Sequence, residues 1–547
     1  MKLYLSRSQV SRPLSPGGSI SASLTVRLKR YRAHDIFRYE RIFVRPAFEI
    51  RQRRVVRHAR PASFSDDRIS LTSCELSTWA VRISSFEFHL PNHQRKHWRV
   101  DRPNIVLINV SEAGWHFACY GASSVRTPNI DRLAAEGARF EHMYSTASIS
   151  SPSRVSLMTG QHVQRHGMGE LVKIQWPCSM LDHSHHLSHV LRNAGYRTAL
   201  FGFQHEAANM DDLGFDTRNR ETLYDEPWPW GDTLDPAESY PAAIPPEKEV
   251  PATDTARDFA AYVDSNTGGD QPFFAQIGIF EVQGPLLWAG LEAGDPDSVE
   301  LPSYLTLPET NPEGLRQQVA NVEASLARVD DGVGIVLEAL ERNGLTRNTL
   351  VVLTTDHGPG WPRAKWGMCE NSNRVAFVMR WPDGPIAPGV YPELASQIDF
   401  VPTLAEWIGL TPPQVIDGKS FAPLLRGEPW LRGEPAFAYN LYCRLYAARS
   451  QRYRLIRNFA GISFNKLTRA ENADVPAVEL YDHDADPDET QNLADDPAHA
   501  AAFREIDSAL WEYLIAFDDR ILQTEEECEA AEQCRQDLKA YRERQGR

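Results

Sequence analysis

Five apolar runs separated by helical patterns constrain the fold of this chain more than any other feature. The first run, at residues 104–110, reads NIVLINV, and similar runs recur at residues 196–203, 272–280, 350–355 and 375–381. Runs with so little polar alternation are typical of central strands covered on both faces. Helical patterns lie between them, at residues 129–136, 187–194 and about 314–342. This alternation predicts an α/β fold in which helices sandwich a mostly parallel central sheet.

The pattern changes after residue 425. Short strand-like segments follow at residues 437–446, 453–458 and 478–481, and a helical pattern covers residues 500–517. We therefore predict a main domain at residues 101–425 and a smaller antiparallel C-terminal subdomain with a packing helix at residues 426–522. Residues 523–547 form a charged tail, which we expect to be a solvated helix.

Residues 1–100 differ in charge from the rest of the chain. They contain 17 Arg and 3 Lys against 7 acidic residues, a balance of +13, so the other 447 residues carry −28 of the total of −15. They show no sustained helical or strand period and include a basic run at residues 51–57. We interpret them as a poorly ordered extension or a gene-start artefact. The alternative is a targeting segment or an arm that binds polyanions.

Composition argues against several classes of protein. The net charge of −15 and the pI near 5.6 argue against nucleic acid as a partner, because phosphate binding needs a broad basic surface. The N-terminus lacks the apolar stretch of about 7 to 15 residues that a secretory signal needs. No window approaches the roughly 18 apolar residues of a membrane span, so we expect a soluble protein. The seven cysteines indicate neither a disulfide framework nor a zinc site.

A short polar motif carries the strongest functional signal. Residues 150–154 read Ser-Ser-Pro-Ser-Arg, between Thr-Pro-Asn-Ile-Asp-Arg-Leu at 127–133 and Leu-Met-Thr-Gly at 157–160. This region resembles the nucleophile segment of the sulfatases of the alkaline-phosphatase superfamily, whose motif is Cys/Ser-x-Pro-x-Arg. A helix beginning near Pro152 would direct its N–H groups and positive dipole end at an anion beside Ser150, which suits sulfate.

The resemblance implies a particular chemistry for Ser150. In sulfatases a Cys or Ser is oxidised to formylglycine, whose hydrated aldehyde attacks sulfur and then expels sulfate. An unmodified serine has no second hydroxyl on the same carbon to drive that expulsion. We therefore expect Ser150 to act as a nucleophile only after a serine-type maturation enzyme has converted it, with Arg154 as the cation that orients the sulfate.

The resemblance also implies a calcium site. Sulfatases hold this hard, oxygen-seeking cation between carboxylates after the first strand and an Asp-Asn or Asp-His pair after a late strand. The late pair is Asp356-His357 here, whereas Ser111-Glu112 stands where an acidic pair is expected. We predict that Glu112, Asp356 and His357 form the metal shell beside Ser150, because residues that follow parallel strands meet at one edge of the sheet. The missing carboxylate predicts weak calcium binding.

Two further residues match positions that bind sulfate in the family. His205 is retained in Gly-Phe-Gln-His at 202–205, although Phe203 replaces a lysine, and Lys365 follows the late metal pair. A histidine expected after the run at 272–280 is replaced by Gln283. The alternatives are a hydrogen-bonded core histidine at 205 and a solvated surface lysine at 365.

Further segments are similar to the sulfatase group that includes the heparan N-sulfatases. They are MGEL at 168–171, LPET at 307–310, PRAK at 362–365, DGKSFAPLL at 417–425, ELYD at 479–482, DPDET at 486–490 and NL at 492–493. With them the resemblance extends from about residue 102 to residue 522. It implies that residues 101–425 are a catalytic domain and that the protein hydrolyses a sulfuric ester or sulfamate on a sulfated carbohydrate.

Two other functions remain open at the level of the sequence. The replacements at Ser111, Phe203 and Gln283 favour a pseudoenzyme that binds sulfated glycans without turnover. Retention of four family residues favours an enzyme: Arg154, His205, Asp356 and Lys365. A phosphomonoesterase or phosphodiesterase on the same fold would ordinarily use an unmodified Ser or Thr and two zinc ions. The sequence offers too few His and Asp ligands for that third function.

Overall fold

The structure is a computed structural model. It describes residues 102–172, 179–219, 250–266, 269, 271–282, 291–301, 303–305, 312–440, 444–459, 463–465, 470–472 and 476–517. The predicted N-terminal extension at 1–100 and the predicted tail at 523–547 lie outside the described residues, as do Gln283 and the segment 307–310. Among the described residues no helix is both long and apolar enough to cross a membrane.

Nine strands of the described chain form one large sheet. They are β1 (Asn104–Val110), β2 (Ala138–Tyr144), β3 (Arg197–Gly202), β4 (Thr217–Asn219), β5 (Phe273–Ile279), β6 (Thr349–Thr355), β7 (Arg374–Val375), β8 (Phe377–Arg380) and β9 (Gly389–Ser396). Their order is β4-β3-β5-β1-β6-β8-β2-β7, and β9 pairs with β2. The strands β4, β3, β5, β1 and β6 run parallel to one another. The predicted mostly parallel sheet is therefore confirmed.

Four of the five apolar runs form the centre of this sheet as β3, β5, β1 and β6. The fifth run, at 375–381, was predicted as one strand, and that prediction is wrong. It contributes the end of β7 and all of β8, and both pair antiparallel with β2. The residue between them, Ala376, donates its backbone N–H to Gly114 O instead of to a neighbouring strand, and this interrupts the ladder.

Helices cover both faces of the sheet. They are α1 (Pro128–Ala135), α2 (Ser150–Thr159), α3 (Val163–His166), α4 (Leu187–Asn193), α5 (Ala252–Asn266), α6 (Pro312–Arg342), α7 (Glu370–Asn373), α8 (Phe400–Ile408) and α9 (Ala422–Leu425). Alternate residues of β1 belong to two separate cores, because successive side chains of a strand point to opposite faces. Val106 and Ile108 pack with α1, α5 and α6, whereas Ile105 and Leu107 pack with α2, α4 and α8.

The C-terminal subdomain is a second, antiparallel sheet, as predicted. It contains β10 (Ala436–Asn440), β11 (Leu445–Arg449), β12 (Tyr453–Asn458) and β15 (Val478–Asp482), beside a small pair of β13 (Ser463–Asn465) and β14 (Ala470–Asn472). The run predicted at 437–446 is divided between β10 and β11. Helix α10 (Ala500–Ala516) packs against this sheet through Leu510 and Trp511.

Strand register sets the position of the residues that follow the central strands. The last residue of β1, Val110, pairs with the last residue of β6, Thr355. The segments 111–112 and 356–357 therefore leave the sheet side by side at its carboxyl edge. In open α/β sheets this is the edge where ligands bind.

Candidate active site

Helix α2 carries the predicted nucleophile in its first turn. The helix begins at Ser150, two residues before the expected start at Pro152. Proline is tolerated at the third helical position because the N–H that it lacks would have no partner within the helix. The side chains of Ser150 and Arg154 lie one turn apart on the same face of the helix. Both are buried, with 2% and 0% exposure.

Ser150 contacts His357 of the predicted metal pair. Ser150 Oγ lies 3.0 Å from His357 Nε2, and His357 Nδ1 lies 2.8 Å from Gly358 O. A carbonyl oxygen can only accept, so Nδ1 carries the proton and Nε2 accepts the hydrogen bond from the Ser150 hydroxyl. Burial lowers the pKa of His357, which favours this neutral ring.

Two of the three guanidinium nitrogens of the buried Arg154 have hydrogen-bond partners, and the third has none within the described residues. Its Nε donates to Asp356 Oδ2 at 3.0 Å and its Nη2 donates to Ser111 Oγ at 2.7 Å. The guanidinium lies 4.8 Å from the centre of the Phe203 ring and forms a cation–π contact with it. Phe203 stands where the family pattern has a lysine. Arg154 Nη1 is buried and has no hydrogen-bond partner within the described residues. A buried donor of this kind is costly unless a ligand or water satisfies it.

Asp356 links the ends of β1 and β6. Its Oδ1 accepts hydrogen bonds from the backbone N–H of Glu112 at 2.8 Å and of His357 at 2.9 Å. Burial alone would raise the pKa of Asp356, but the Arg154 guanidinium, the Glu112 N–H and the Lys365 ammonium outweigh it and hold this pKa far below its usual value. Asp356 is therefore ionised throughout the physiological range of pH.

Lys365 is buried and forms an ion pair with Glu112. The Glu112 side chain is fully buried and that of Lys365 is 4% exposed. Lys365 N donates to Pro359 O, and the next residue, Trp366, donates its N–H to Ser148 O near the start of α2. The alternative of a solvated surface lysine is wrong. Glu112 has a positive φ of 53°, a conformation that costs energy for a residue with a Cβ and is often found at functional sites.

His205 lies in the same electrostatic environment. Burial, together with the charges of Arg154 and Lys365, lowers the pKa of His205 to about 3. The ring is therefore uncharged at neutral pH, and it contacts Phe203 at 5.5 Å between ring centres. An uncharged histidine can donate one hydrogen bond to an anion without adding charge.

Sequence reasoning missed two buried polar residues that hold this site. Glu206 accepts from His205 N at 3.1 Å and from Gln276 Nε2 at 2.9 Å, and burial raises its pKa. Gln397 donates to Thr355 O and accepts from Ser153 Oγ, so it ties helix α2 to the end of β6. The position of Glu206 shortly after the end of β3 and beside His205 was the available signal. No pattern in the sequence near Gln397 indicates this role.

The predicted metal residues form a sparse donor set, because within the described residues Glu112, Asp356 and His357 do not bring one ligand atom each within 4.8 Å of one another. Glu112 and Asp356 provide two buried carboxylates at adjacent strand ends, with the His357 imidazole and the Ser150 hydroxyl beside them. Calcium takes six to eight oxygen ligands, so waters or ligand oxygens would have to complete the shell. Ser111 contributes only a hydroxyl, and that hydroxyl already accepts from Arg154.

A second cluster of potential ligand atoms lies between the two sheets. Glu370, His483 and Glu489 have ligand atoms within 4.8 Å of one another. However, Arg454 forms ion pairs with both carboxylates, at 2.6 Å to Glu370 and 2.9 Å to Glu489. The negative charge is thus already balanced, and this cluster fits a structural ion-pair network better than a metal site.

Comparison with known proteins agrees with this fold and geometry. The family profile described as Sulfatase matches residues 103–410, and the profile described as N-sulphoglucosamine sulphohydrolase, C-terminal, matches residues 359–516. Arylsulfatase A of Homo sapiens is 31% identical over 72% of this chain and 83% of its own length. N-sulphoglucosamine sulphohydrolase of Homo sapiens is 25% identical over 73% of this chain and 87% of its own length.

Solved structures share the architecture. A putative sulfatase from Bacteroides fragilis superposes with a TM-score of 0.61 at 21% identity, covering 81% of this chain and 99% of that protein. A protein solved in complex with its substrate D-glucosamine-2-N,6-O-disulfate superposes with a TM-score of 0.57 at 21% identity, covering 76% and 98%. The two profile matches confirm the resemblance to the heparan N-sulfatase group. The chain belongs to the sulfatase family.

Proposed function

We propose that the protein is a sulfuric ester or sulfamate hydrolase that acts on a sulfated sugar beside Ser150. One observation about the buried Arg154, which lies one helical turn from Ser150, carries this proposal. Its Nη1 has no hydrogen-bond partner among the described residues. A sulfate oxygen would satisfy this donor with a charge-assisted bond. The N-terminus of α2 adds its dipole to the same anion.

Each residue of the site has a role in this proposal. Ser150 would be the nucleophile after a maturation enzyme has oxidised it to formylglycine. Addition of water to that aldehyde would give a carbon with two hydroxyls, one to attack sulfur and one to drive release of sulfate. Arg154 orients the anion, while His205 and Lys365 hold other sulfate oxygens. The neutral His357 ring accepts a hydrogen bond from the Ser150 hydroxyl, and this contact orients Oγ before conversion.

Calcium is part of the proposal as a weakly held cofactor. Glu112, Asp356 and His357 would hold it, and when bound it would supply positive charge next to the sulfate oxygens. The support for this assignment is the pair of buried carboxylates at adjacent strand ends. The small number of oxygen donors supports weak binding.

The substrate class follows from the relatives of the chain. Curated relatives include an N-sulphoglucosamine sulphohydrolase and an N-acetylglucosamine-6-O-sulfatase, at 25% and 23% identity. The match to the C-terminal profile of the first of these favours a sulfated glucosamine.

A pseudoenzyme that binds sulfated glycans is the second candidate. It is favoured by one observation, the Phe203 ring that packs on Arg154 where a lysine is expected. In this function Ser150 stays a serine, and the pocket binds sulfate without turnover.

Two measurements on the protein from its own host separate these functions. Mass analysis of the peptide that contains Ser150 detects conversion to formylglycine as the loss of two hydrogens, and sulfate release from N-sulfoglucosamine measures turnover. We expect both conversion and turnover, and Ser150→Ala should abolish turnover while it retains binding. Binding by an unconverted, inactive wild type would favour the pseudoenzyme. Absence of sulfated-sugar binding would overturn both functions.

A further inference from the structure

A cleft with a volume of about 300 Å³ lies between the large sheet and the C-terminal sheet. His142 of β2 and Arg374 of β7 line one wall, and Arg449 of β11 and residues 483–484 after β15 line the other. Within the part of the chain that the structure describes, this inter-sheet cleft is lined by none of the residues assigned above to the nucleophile, the sulfate or the metal. Its size is at the lower end of the range for pockets that hold small ligands. It is therefore a separate place where a small molecule can bind.

Buried ion pairs fix the floor of the inter-sheet cleft. The Glu370 carboxylate pairs with Arg449 at 3.1 Å and with Arg374 at 3.9 Å. Arg374 also donates to Glu141 Oε1 at 2.8 Å. Both guanidinium groups thus have carboxylate partners already, and a free anion would have to displace them at a large cost. The floor is rigid and does not favour a sulfate.

The formal charges of the acidic and basic residues that line the inter-sheet cleft cancel. Three arginines face three acidic residues: Arg374, Arg449, Arg452, Glu370, Asp484 and Asp488. Burial and the charge of Arg374 lower the pKa of His142 to about 4, so this ring adds no charge at neutral pH. A lining of this kind suits a ligand without net charge, in contrast to the pocket beside Ser150.

Hydrogen-bonding groups of both kinds are present in this lining. His142 Nδ1 has no hydrogen-bond partner within the described residues. Trp115 Nε1 donates to Asn371 Oδ1 at 3.2 Å, a bond that does not use the two N–H donors of the Asn371 amide. At the mouth, the Arg452 and Asp484 side chains are 50% and 69% exposed, so a guanidinium and a carboxylate are both accessible to a ligand.

We propose that the inter-sheet cleft binds a sugar unit that carries no sulfate. Every hydroxyl of a sugar both donates and accepts hydrogen bonds, so a sugar requires donors and acceptors together, as this lining provides them. Planar amide, carboxylate and guanidinium groups can each bond two neighbouring hydroxyls. The half-buried Trp115 adds apolar surface for the C–H groups of the ring. A free monosaccharide and one unit of a glycan chain present the same hydroxyls. The inference goes beyond the proposed function, because it requires neither calcium nor conversion of Ser150.

Ligand-observed NMR on the full-length protein tests the cleft with N-acetylglucosamine, a neutral probe of one sugar ring. We expect binding without added calcium, and we expect it to persist when N-sulfoglucosamine saturates the site beside Ser150. Displacement by N-sulfoglucosamine would place the probe beside Ser150 and would overturn the inference. The absence of binding at millimolar concentrations of the probe would also overturn it.

A variant at the mouth of the cleft locates the bound probe. Asp484→Ala removes an acceptor and should weaken binding of N-acetylglucosamine about fivefold. The side chain is largely exposed, so this variant should fold as the wild type does. Asp211→Ala is the matched control, because Asp211 is 70% exposed and pairs with Arg218, and neither residue lines the cleft. Equal affinities of the two variants for the probe would contradict the inference.

Two further sugars test the chemistry of the ligand and its source. Glucuronic acid, which carries a carboxylate, should bind more weakly than N-acetylglucosamine, and tighter binding would show a cleft for anions and overturn the inference. The trimer of N-acetylglucosamine distinguishes the sources: tighter binding than the monomer identifies a glycan chain, unchanged binding identifies a free sugar, and both support the cleft. Failure of the proposed function would appear instead as no binding of N-sulfoglucosamine, which leaves the result with N-acetylglucosamine unaffected.

Discussion

Ser150 Oγ and His357 Nε2 lie 3.0 Å apart although the residues are 207 positions apart in the chain. This contact joins the nucleophile helix to the end of β6, where the neighbouring Asp356 holds Arg154 and the backbone of Glu112. One fully buried network thus contains the proposed nucleophile, the proposed sulfate cation and the proposed metal carboxylates. A change at any member is expected to affect binding of the anion, of the cation or of both.

Arg154→Lys should weaken binding of sulfated glucosamine at least about tenfold, because the single nitrogen of a lysine cannot occupy the three positions from which the guanidinium nitrogens face Asp356, Ser111 and the sulfate. Isothermal titration of unconverted protein measures this without turnover. Arg165→Lys, at an exposed arginine that bonds Asp417, is the matched control and should bind as wild type does. Unchanged affinity in folded Arg154→Lys would mean that the anion is not bound beside Ser150.

Ser111→Asp should raise calcium affinity on the order of tenfold, because it restores a carboxylate to the shell and ligand charge is a determinant of calcium affinity. The measurement is a calcium titration in the absence of sugar. Ser111→Asn has the same size without the charge and should not show the gain. Equal affinities for the Asp and Asn variants would contradict the assignment of calcium to this edge of the sheet.

Glu370→Gln should destabilise the fold by about 3 to 5 kcal/mol, because it removes the carboxylate that pairs with the buried Arg449 and leaves the buried Arg454 with Glu489 alone. Urea unfolding at neutral pH tests this. Glu428→Gln, which affects an exposed pair with Arg426, is the control and should change stability little. A loss no larger than that of the control would show that Glu370 does not tie α7 to the C-terminal sheet.

The stability that Glu370 contributes should depend on pH. Burial alone would raise the pKa of Glu370, but the charges of Arg449 and Arg454 outweigh it and hold this pKa well below its usual value. Its contribution to stability is therefore present above the ordinary carboxyl pKa, about 4.3, and is lost as the pH falls through the lowered value. The stability difference between wild type and Glu370→Gln should shrink in strong acid.

The stability that Glu170 contributes should change with pH in the opposite direction. Burial raises its pKa to about 7, so the folded protein binds a proton that the unfolded chain has released. The stability associated with the protonated form is complete below about 4.3 and is lost as the pH rises through about 7. Glu170→Gln should therefore gain stability relative to wild type between pH 5 and pH 8, as thermal unfolding across this range would measure. A constant difference would contradict the raised pKa.

Local patterns in the sequence were sufficient for the four central parallel strands of the large sheet. The runs that became β1, β3, β5 and β6 were identifiable because strands buried on both faces have little polar alternation. Strands β2 and β9 were missed because they carry polar residues on a partly exposed face, as in ARFEHMY at 138–144. The split of 375–381 was also missed, since it depends on a backbone hydrogen bond between Ala376 and the distant Gly114.

The sequence by itself determined which residues follow which strand, and so that Glu112, Asp356 and Ser150 would approach one edge of the sheet. The tertiary structure alone decided how their charges are paired, with Lys365 on Glu112 and Arg154 on Asp356. The physical reason is the range of the forces involved. Periodicity and motifs report on neighbours along the chain, whereas a buried ion pair depends on strand register, loop path and the exclusion of water, which only the folded chain sets.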